Sequence, residues 1–287
     1  MPKVRRRDGV SGAPSTARLK GVKIARYSHE GVISFGLVEG LEPGDLPGPM
    51  TTVSNIDTHP YEPFELTGVS HRLSDVRLLA PVIPSKIVAI GKNYADHAAE
   101  MGGAPPAEPL MFLKPSTSIV GPDDPIVLPW QSDHVDEEAE LAVVIGRLTR
   151  KVSREDALDY VLGYTCANDV SARDIQKADG QWTRAKGFDT FCPIGPWIEL
   201  ELDAGDVEVT GTIDERVVQH GRTSDLIHSI AKIIETISGV MTLLPGDVIL
   251  TGTPAGVSTL VPGNTVKVSI EGIGTLSNPV IDAGSAS

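Results

Sequence analysis

The stretch "DEEAELAVVIG", residues 136–146, places four acids in five positions directly before an apolar run. Side chains alternate between the two faces of a strand, so Glu138 and Glu140 would share one face, about 7 Å apart at Cα. Their oxygens could converge on one hard cation, at about 2.0–2.1 Å for Mg²⁺. Asp136 and Glu137 are expected to stay in solvent or to tune the electric field of the site without binding the cation. The alternative is an exposed strand end on which all of these acids are solvated.

A further acid follows another predicted strand, in "TCANDVSARDIQ", residues 165–176. Asp169 lies 29 residues after Glu140 and could complete an oxygen site with positions open for water and substrate. Arg173 and Gln176 come four and seven residues after Asp169, so a helical turn would place them on one side. Arg173 could bind a carboxylate through its fork of donors. The alternatives are a turn-capping role for Asp169 and a surface ion pair for Arg173.

His97 and Glu100 form an HxxE pair in "NYADHAAEMGG". On a helix, this spacing puts the imidazole and the carboxylate on one face. A carboxylate beside an imidazole raises its basicity, which suits the activation of water. Such a pair also occurs on solvated helix faces, so both interpretations stay open at this point.

Two loops carry further candidates. Residues 184–197, "RAKGFDTFCPIGPW", contain Lys186, which could add positive charge beside an enolate or could be a solvated loop lysine. Residues 251–257, "TGTPAGV", expose backbone amides that could bind a carboxylate, and Thr253 could add a hydroxyl. This loop lacks the GxxxxGK[ST] pattern, so it does not predict a P-loop for phosphate.

Short strands and few helices must position these residues. Residues 22–40 predict a β-hairpin, because two β-rich runs flank a cluster of turn residues. Residues 87–90 predict a buried strand, and the short helix with the HxxE pair should follow it and stop at Gly102 and Gly103. The apolar residues after 245 predict another buried strand, which leads into the glycine-rich loop.

Two longer helices are also predicted. The first should begin at an N-cap, Ser153, and give way to a strand that ends near Asn168. The second should occupy residues 225–244, with an apolar stripe of Leu226, Ile230, Ile233, Ile234 and Ile237. The last strands are expected near residues 265–270 and 276–280. Because strands outnumber helices, the predicted class is α+β, mostly β.

Composition excludes several function classes. The 287 residues carry a formal net charge of −13, which disfavours nucleic-acid binding because an acidic surface repels phosphate. The two cysteines, Cys166 and Cys192, form no CxxC pair, which favours free thiols in a reducing compartment, the cytoplasm. No apolar run reaches the roughly eighteen residues of a membrane span. Residues 1–21 predict a flexible tail, with an organelle-targeting peptide as the alternative.

Six segments, in this order, resemble signatures of the fumarylacetoacetate hydrolase family in its bacterial type. They are "IVAIGKNYADHAAEMG", "PLMFLKPSTSIVGPDDPI", "EEAELAVVIG", "GYTCANDVSARDIQ", "KGFDTFCPIGPW" and "LLPGDVILTGTPAGV", roughly within residues 84–280. The resemblance implies a compact mixed β-roll over residues 84–282 as the catalytic domain. It also implies a small N-terminal β domain over residues 22–80, and a homodimer.

The resemblance also implies roles for individual residues. One Mg²⁺ or Mn²⁺ would be held by Glu138, Glu140 and Asp169. The catalytic residues would be His97, Glu100 and Lys186. The substrate-binding residues would be Lys92, Arg173, Gln176 and Thr253.

The implied substrate is a 2-oxo or 2-enol dicarboxylic acid that reacts through an enolate, which the metal stabilises. Three outcomes share that intermediate: isomerisation of a hydroxymuconate-type or hydroxyheptadienedioate-type compound, hydrolysis of a C–C bond in an acylpyruvate, and decarboxylation of oxaloacetate. An isomerase of aromatic catabolism ranks close to an acylpyruvate hydrolase or a decarboxylase. Two other classes stay open: a non-catalytic divalent-metal-binding module, which needs no HxxE pair, and a two-metal phosphoesterase, which needs more ligands.

Overall fold

The computed structural model describes residues 21–41, 47–102 and 104–285. Within these ranges strands dominate and the helices are short. The helices are α1 (Ala95–Glu100), α2 (Arg173–Asp179), α3 (Thr183–Lys186) and α4 (Ile230–Val240). The predicted α+β class, mostly β, is therefore confirmed. The predicted tail lies outside the described residues, apart from Gly21.

The strands of the described residues form three sheets. In chain order they are β1 (Lys23–His29), β2 (Val32–Glu39), β3 (Thr52–Ile56), β4 (Leu66–Arg72), β5 (Arg77–Leu79), β6 (Ile87–Gly91), β7 (Leu110–Lys114), β8 (Ile119–Val120), β9 (Ile126–Leu128), β10 (Val135–Glu137), β11 (Ala139–Ile145), β12 (Val161–Asn168), β13 (Ser171–Ala172), β14 (Cys192–Glu199), β15 (Glu208–Ile213), β16 (Arg216–Arg222), β17 (Val248–Leu250), β18 (Ser258–Thr259), β19 (Thr265–Ile270) and β20 (Gly274–Asp282).

The largest sheet has twelve strands, in the order β4-β3-β2-β1-β14-β12-β11-β17-β6-β7, with β5 against β1 and β8 against β14. The smaller sheets have the orders β13-β10-β18 and β16-β15-β19-β20-β9. The hairpin predicted over residues 22–40 is present as β1 and β2. Strand β1 also pairs with β14, where Ile24 lies opposite Ile198. The N-terminal strands therefore extend the same sheet that carries the candidate site.

Strand β11 lies inside this sheet, and all seven of its residues are buried. Its side chains divide by period two between two apolar clusters. Leu141 and Val143 pack in the largest cluster, together with the isoleucines of α4. Ala142 and Val144 pack in a second cluster, together with residues of β6 and β17. Burial on both faces explains why the strand is a continuous apolar run.

Four neighbouring strands bring their ends to one edge of this sheet. Strand β11 runs antiparallel to β12, and Ala139 at its start lies opposite Asn168 at the end of β12. Strand β17 is antiparallel to β11 and parallel to β6, so Leu250 and Ala89 near the ends of those strands reach the same edge. The loops that follow β6, β12 and β17 therefore meet at the start of β11.

Helix α4 confirms the predicted apolar stripe but is shorter than residues 225–244. Ser229 caps it by accepting a hydrogen bond from the Lys232 amide, and the extended backbone of Met241 ends it. The buried stripe consists of Ile230, Ile233, Ile234 and Ile237. Leu226 lies before the helix and packs against the same core.

The helix predicted to begin at Ser153 is wrong. The structure has only a 3₁₀ turn, Ala157–Tyr160, before β12 begins at Val161. Ser153 caps a local turn instead, because its hydroxyl accepts a hydrogen bond from the Asp156 amide at 3.3 Å. Too few residues remain before the strand to offset the cost of nucleating an α-helix. The predicted end of that strand at Asn168 is confirmed.

Cys166 and Cys192 are buried and unpaired, as their spacing predicts. Burial raises the pKa of each thiol to about 12, so both stay protonated at neutral pH. Among the described residues, no helix has the length and apolar character required to span a membrane.

Candidate active site

Glu138, Glu140 and Asp169 come together at the edge where the strand ends meet. Glu138 directly precedes β11, Glu140 is its second residue, and Asp169 directly follows β12. All three are buried, and each offers an oxygen within 4.8 Å of the oxygens of the other two. Among the described residues this is the one cluster of three or more acids, cysteines or histidines with that geometry.

The backbone around these acids is tightly held. The Glu138 amide donates to the side-chain oxygen of Asn168 at 2.9 Å, and the Asp169 amide donates to the Glu138 carbonyl at 2.9 Å. The Gly252 amide, in the loop after β17, donates to Glu140 Oε2 at 2.7 Å. These bonds hold the backbone at Glu138 and Asp169 and one carboxylate oxygen of Glu140.

Two buried lysines approach the same acids. Lys186 Nζ donates to Glu138 Oε2 at 2.6 Å and to Asp169 Oδ2 at 2.7 Å. Lys114 Nζ, at the end of β7, donates to Asp169 Oδ1 at 2.5 Å. Burial opposes the charge of Lys186, but the adjacent Asp169 and Glu138 outweigh it and raise its pKa. Lys186 is therefore a cation bound between two carboxylates and not the solvated loop lysine of the alternative interpretation.

The guanidinium of Arg173 donates hydrogen bonds to two acids and one amide of the chain. Its Nε donates to Asp136 at 2.9 Å, one terminal nitrogen donates to Glu138 Oε1 at 2.6 Å, and the other donates to Gln176 Oε1 at 3.0 Å. Burial raises the pKa of Glu138, but Lys186 and Arg173 overcome that effect and hold it well below its usual range. Helix α2 thus places Arg173 and Gln176 on one side, as their spacing predicts.

Glu140 has the opposite electrostatics. Burial first, and then the charges of Asp169 and Glu138, raise its pKa well above the usual range. Within the described chain, Glu140 accepts a hydrogen bond only on Oε2, so Oε1 remains free to bind a cation. The triad and Asp136 together make four acidic side chains. Three cationic side chains contact them: Lys114, Arg173 and Lys186.

This donor set fits a divalent cation with a preference for oxygen, such as Mg²⁺ or Mn²⁺. Each carboxylate oxygen has two lone pairs, so the bound lysines and Arg173 do not exhaust the oxygens of Glu138 and Asp169. A cation there would also offset the repulsion that raises the pKa of Glu140.

His97 and Glu100 lie on α1 and form the expected pair, with 3.2 Å between His97 Nδ1 and Glu100 Oε2. An ionised carboxylate only accepts, so Nδ1 carries a proton, and in the neutral imidazole Nε2 is then the acceptor. His97 is buried and lines a cavity of about 600 Å³ that Glu138 and Glu140 also line. Glu100 in turn accepts from the Gly256 amide at 3.3 Å, which ties α1 to the glycine-rich loop.

The remaining candidates line the same cavity: Lys92, Arg173, Gln176, Lys186 and Thr253. Lys92 has a left-handed backbone, φ 56°, directly after β6. Asn93 stabilises that turn because its side-chain amide donates to the Thr251 carbonyl at 2.8 Å. The Thr253 hydroxyl donates to the Ala139 carbonyl at 2.8 Å, so its proton is committed to the chain.

The expectation that Asp136 and Glu137 stay in solvent is wrong. Asp136 is buried and accepts from Arg173 and from the Thr259 hydroxyl at 2.9 Å. Glu137 is fully buried, and neither of its side-chain oxygens has a hydrogen-bond partner among the described residues. Burial, and then the charges of Glu138 and Asp136, raise the pKa of Glu137 well above its usual range. The physical reason is that β10 lies between β13 and β18, which cover this segment.

Several residues of the site escaped sequence reasoning. Lys114 is the last residue of β7, directly after the apolar residues LMFL. A lysine at the end of such an apolar strand is the signal that could have indicated it. Lys177 and Trp182 line the cavity, and Lys177 follows Arg173 by one helical turn. No local signal marks Gln219, which contacts the site from β16.

Comparison with known families gives two consecutive matches. Residues 86–281 match the model of the fumarylacetoacetate (FAA) hydrolase C-terminal domain. Residues 22–81 match a model described as Rv2993c-like, N-terminal.

Two solved structures and two sequence relatives are informative. The structure of 5-carboxymethyl-2-hydroxymuconate delta-isomerase from Mycobacterium smegmatis is 50% identical, with a TM-score of 0.84, over 91% of this chain and 99% of that one. The structure of 2-hydroxyhepta-2,4-diene-1,7-dioate isomerase from Mycobacterium marinum is 51% identical, with a TM-score of 0.85, over 92% of this chain and 99% of that one.

Protein Rv2993c of Mycobacterium tuberculosis is 54% identical over 92% of this chain and 99% of its own. The mitochondrial oxaloacetate tautomerase fahd2 of Xenopus laevis is 44% identical, over 72% of this chain and 69% of its own.

Proposed function

Since the chain belongs to the fumarylacetoacetate hydrolase family, we propose that it is a divalent-metal-dependent isomerase of 2-oxo or 2-enol dicarboxylic acids. The observation that carries the proposal is the buried triad of Glu138, Glu140 and Asp169, which shares a cavity with His97. Two similar structures, each about half identical over most of this chain, are named as isomerases of a 2-hydroxymuconate tricarboxylate and of a 2-hydroxydiene dicarboxylate.

Glu138, Glu140 and Asp169 would hold Mg²⁺ or Mn²⁺. When bound, such a cation stabilises negative charge that develops on the substrate's 2-oxygen. Lys186 supports the same charge, because its ammonium lies between Glu138 and Asp169 and its pKa is raised. Arg173 holds Glu138 from the other side and keeps it ionised.

His97 moves the proton. With Nδ1 hydrogen-bonded to Glu100, the ring presents Nε2 as a base for a carbon-bound hydrogen next to the carbonyl. Isomerisation is complete when the same ring returns that proton to a different carbon, so no oxidant, reductant or water is consumed. Glu100 stabilises the imidazolium that exists between the two transfers.

Lys92 and Lys177 suit the second carboxylate of the substrate. Both line the cavity, and neither forms an ion pair or a hydrogen bond through its ammonium group within the described chain. Arg173 and Lys186, in contrast, are already matched to acids. An anion entering the cavity therefore meets uncommitted positive charge at Lys92 and Lys177, beside the apolar surface of Trp182. Gln176 adds a side-chain amide group whose nitrogen is free to donate.

The test is a turnover panel with chelator-treated protein, before and after Mg²⁺ or Mn²⁺ is restored. The compounds are 2-hydroxyhepta-2,4-diene-1,7-dioate, 5-carboxymethyl-2-hydroxymuconate, fumarylpyruvate, acetylpyruvate and oxaloacetate. We expect metal-dependent isomerisation of the first two, followed by ultraviolet absorbance and product NMR. The proposal would be overturned if neither of the first two compounds were isomerised with metal restored, or if turnover were unchanged after metal removal.

Oxaloacetate keto–enol interconversion is the second candidate, favoured by the similarity to the tautomerase fahd2 of Xenopus laevis. It requires the same proton transfer by His97, but from a four-carbon diacid. Faster enol-to-ketone conversion of oxaloacetate than isomerisation of the two longer 2-hydroxy dienoates would favour this reaction. Acylpyruvate cleavage or release of CO₂ in the same panel would instead indicate the hydrolase or the decarboxylase.

A further inference from the structure

Ala139 lies between the two glutamates of the triad. On one edge of β11, its backbone amide and carbonyl form hydrogen bonds with side chains and not with another strand. Its amide donates to Gln219 Oε1 at 2.8 Å, and its carbonyl accepts from the Thr253 hydroxyl at 2.8 Å. Strand β17 begins to pair with β11 only at Ala142, so no strand covers this edge at Ala139. Buried backbone groups require partners, and these two side chains replace the missing strand.

The two side chains are also bonded to each other. Gln219 Nε2 donates to Thr253 Oγ1 at 2.8 Å and to the Pro254 carbonyl at 2.6 Å. Gln219, Thr253 and both backbone groups of Ala139 thus form a closed ring. The amide orientation of Gln219 is unambiguous, since the Ala139 amide requires an acceptor and the Pro254 carbonyl requires a donor.

The ring joins the strand that carries the glutamates to the loop that holds one of them. Gly252, next to Thr253, donates to Glu140 Oε2. Gln219 itself comes from β16, in a different sheet, and is almost fully buried. Opposite it on β15, Gly211 allows a close approach, because an added Cβ would lie 3.0 Å from Gln219 Oε1 and would push that side chain by a few tenths of an ångström.

We infer that Gln219 is a positioning residue for the metal ligands. Its side-chain amide fixes the two peptide planes of Ala139 and thereby the directions of Glu138 and Glu140. Thr253 is part of the same hydrogen-bonded ring, since its hydroxyl donates to the Ala139 carbonyl and is not available to donate to a substrate carboxylate. The inference rests on the proposed function, because it takes Glu138 and Glu140 as metal ligands.

Gln219→Met removes every hydrogen bond of the side chain while keeping its length. We expect it to weaken Mg²⁺ and Mn²⁺ binding to the chelator-treated protein about 10- to 100-fold, as loss of groups that orient metal ligands does elsewhere. The matched control is Asn278→Leu. Asn278 is a buried amide that donates to the Gly121 and Asp124 carbonyls, both at 2.8 Å, away from the cavity. The control should lower the melting temperature but leave metal affinity as it is.

The measurement is isothermal titration of metal-free protein with MgCl₂ and MnCl₂, with circular dichroism to verify folding. Thr253→Val should weaken metal binding in the same way and Thr253→Ser should restore it, which keeps the test decisive if Gln219→Met does not fold. Wild-type protein that binds neither cation would overturn the proposed function and this inference with it. If wild-type protein binds metal and folded Gln219→Met binds it with equal affinity, only the role of Gln219 is overturned; if Gln219→Met does not fold, equal affinity in Thr253→Val overturns it.

Discussion

Two buried carboxylates associated with opposite ends of strand β17 have contrasting surroundings. Asp247 precedes the strand and accepts five hydrogen bonds on its two oxygens. The donors are the Ser85 amide and hydroxyl, the Lys86 amide and ammonium, and the Leu244 amide. Glu140 faces the loop that follows the strand and, among the described residues, accepts one hydrogen bond, from Gly252.

The contrast shows that burial alone does not distinguish a structural acid from a functional one. Asp247 and Glu140 are both almost inaccessible to solvent. The chain compensates the charge of Asp247 with a lysine and several amides, which leaves little capacity for an external ligand. Glu140 keeps a free oxygen beside two other acids, and its pKa is raised by burial and by their charges. An incompletely compensated acid cluster is therefore the feature that indicates a cation site.

The largest expected effect is that of Glu140→Gln. Loss of one metal ligand should lower metal affinity and turnover by more than loss of a group that orients a ligand, that is by about 100-fold or more. The metal-free protein should be no less stable, because a neutral amide replaces a carboxylate that faces like charges in the interior. Calorimetric titration and chemical denaturation of chelator-treated protein would measure the two effects. A Glu140→Gln or Glu140→Ala variant with normal Mg²⁺ binding would contradict the role of Glu140 as a metal ligand.

Asp247→Asn makes the same isosteric change at the other end of β17. We expect the free energy of unfolding to fall by about 3 kcal/mol, since the change removes the charge partner of Lys86 and places an NH₂ group among donors. Metal affinity should stay at the wild-type value. Urea denaturation and calorimetry, run beside Glu140→Gln, provide the comparison. If the two variants exchanged their effects, the distinction between saturated and unsaturated acids would fail.

His97→Gln separates metal binding from proton transfer within the unsaturated site. Turnover should fall by about 100-fold or more, because the general base is lost, while metal affinity is retained. Steady-state kinetics and calorimetry would measure both. His220→Gln is the control, since His220 is exposed and lies outside the cavity. Unchanged turnover in His97→Gln on every substrate would exclude the proposed proton transfer.

The smallest expected effect extends the comparison from acids to cations. Lys86 is bound to Asp247, whereas Lys177 has no acidic partner among the described residues and lines the cavity. Lys177→Gln should raise KM for a dicarboxylate about 5-fold and leave kcat nearly unchanged, as expected for one exposed ion pair. The control is Lys151→Gln, an exposed lysine outside the cavity. An equal KM for mono- and dicarboxylate substrates in wild-type protein would argue against recognition of a second carboxylate.

Part of the fold was accessible to local reasoning, and part was not. The hairpin of β1 and β2, the end of β12 and the stripe of α4 follow from alternation, turn residues and helical spacing. The helix predicted to begin at Ser153 failed because the available length depends on where β12 begins. The solvent exposure predicted for Asp136 and Glu137 failed because β13 and β18, distant in sequence, cover β10.

The same division applies to the candidate site. The sequence by itself determined that Glu138 and Glu140 share a face, that His97 and Glu100 can pair, and that an acid follows β12, because strand and helix periods are properties of consecutive residues. Only the tertiary structure decided that Ala139 lies opposite Asn168, which brings Asp169 to the glutamates. It alone placed Lys114 and Gln219 around them, and it alone showed that Lys186 bridges Glu138 and Asp169. Such contacts depend on strand order and register, which arise from packing among distant segments and leave no periodic signal in the chain.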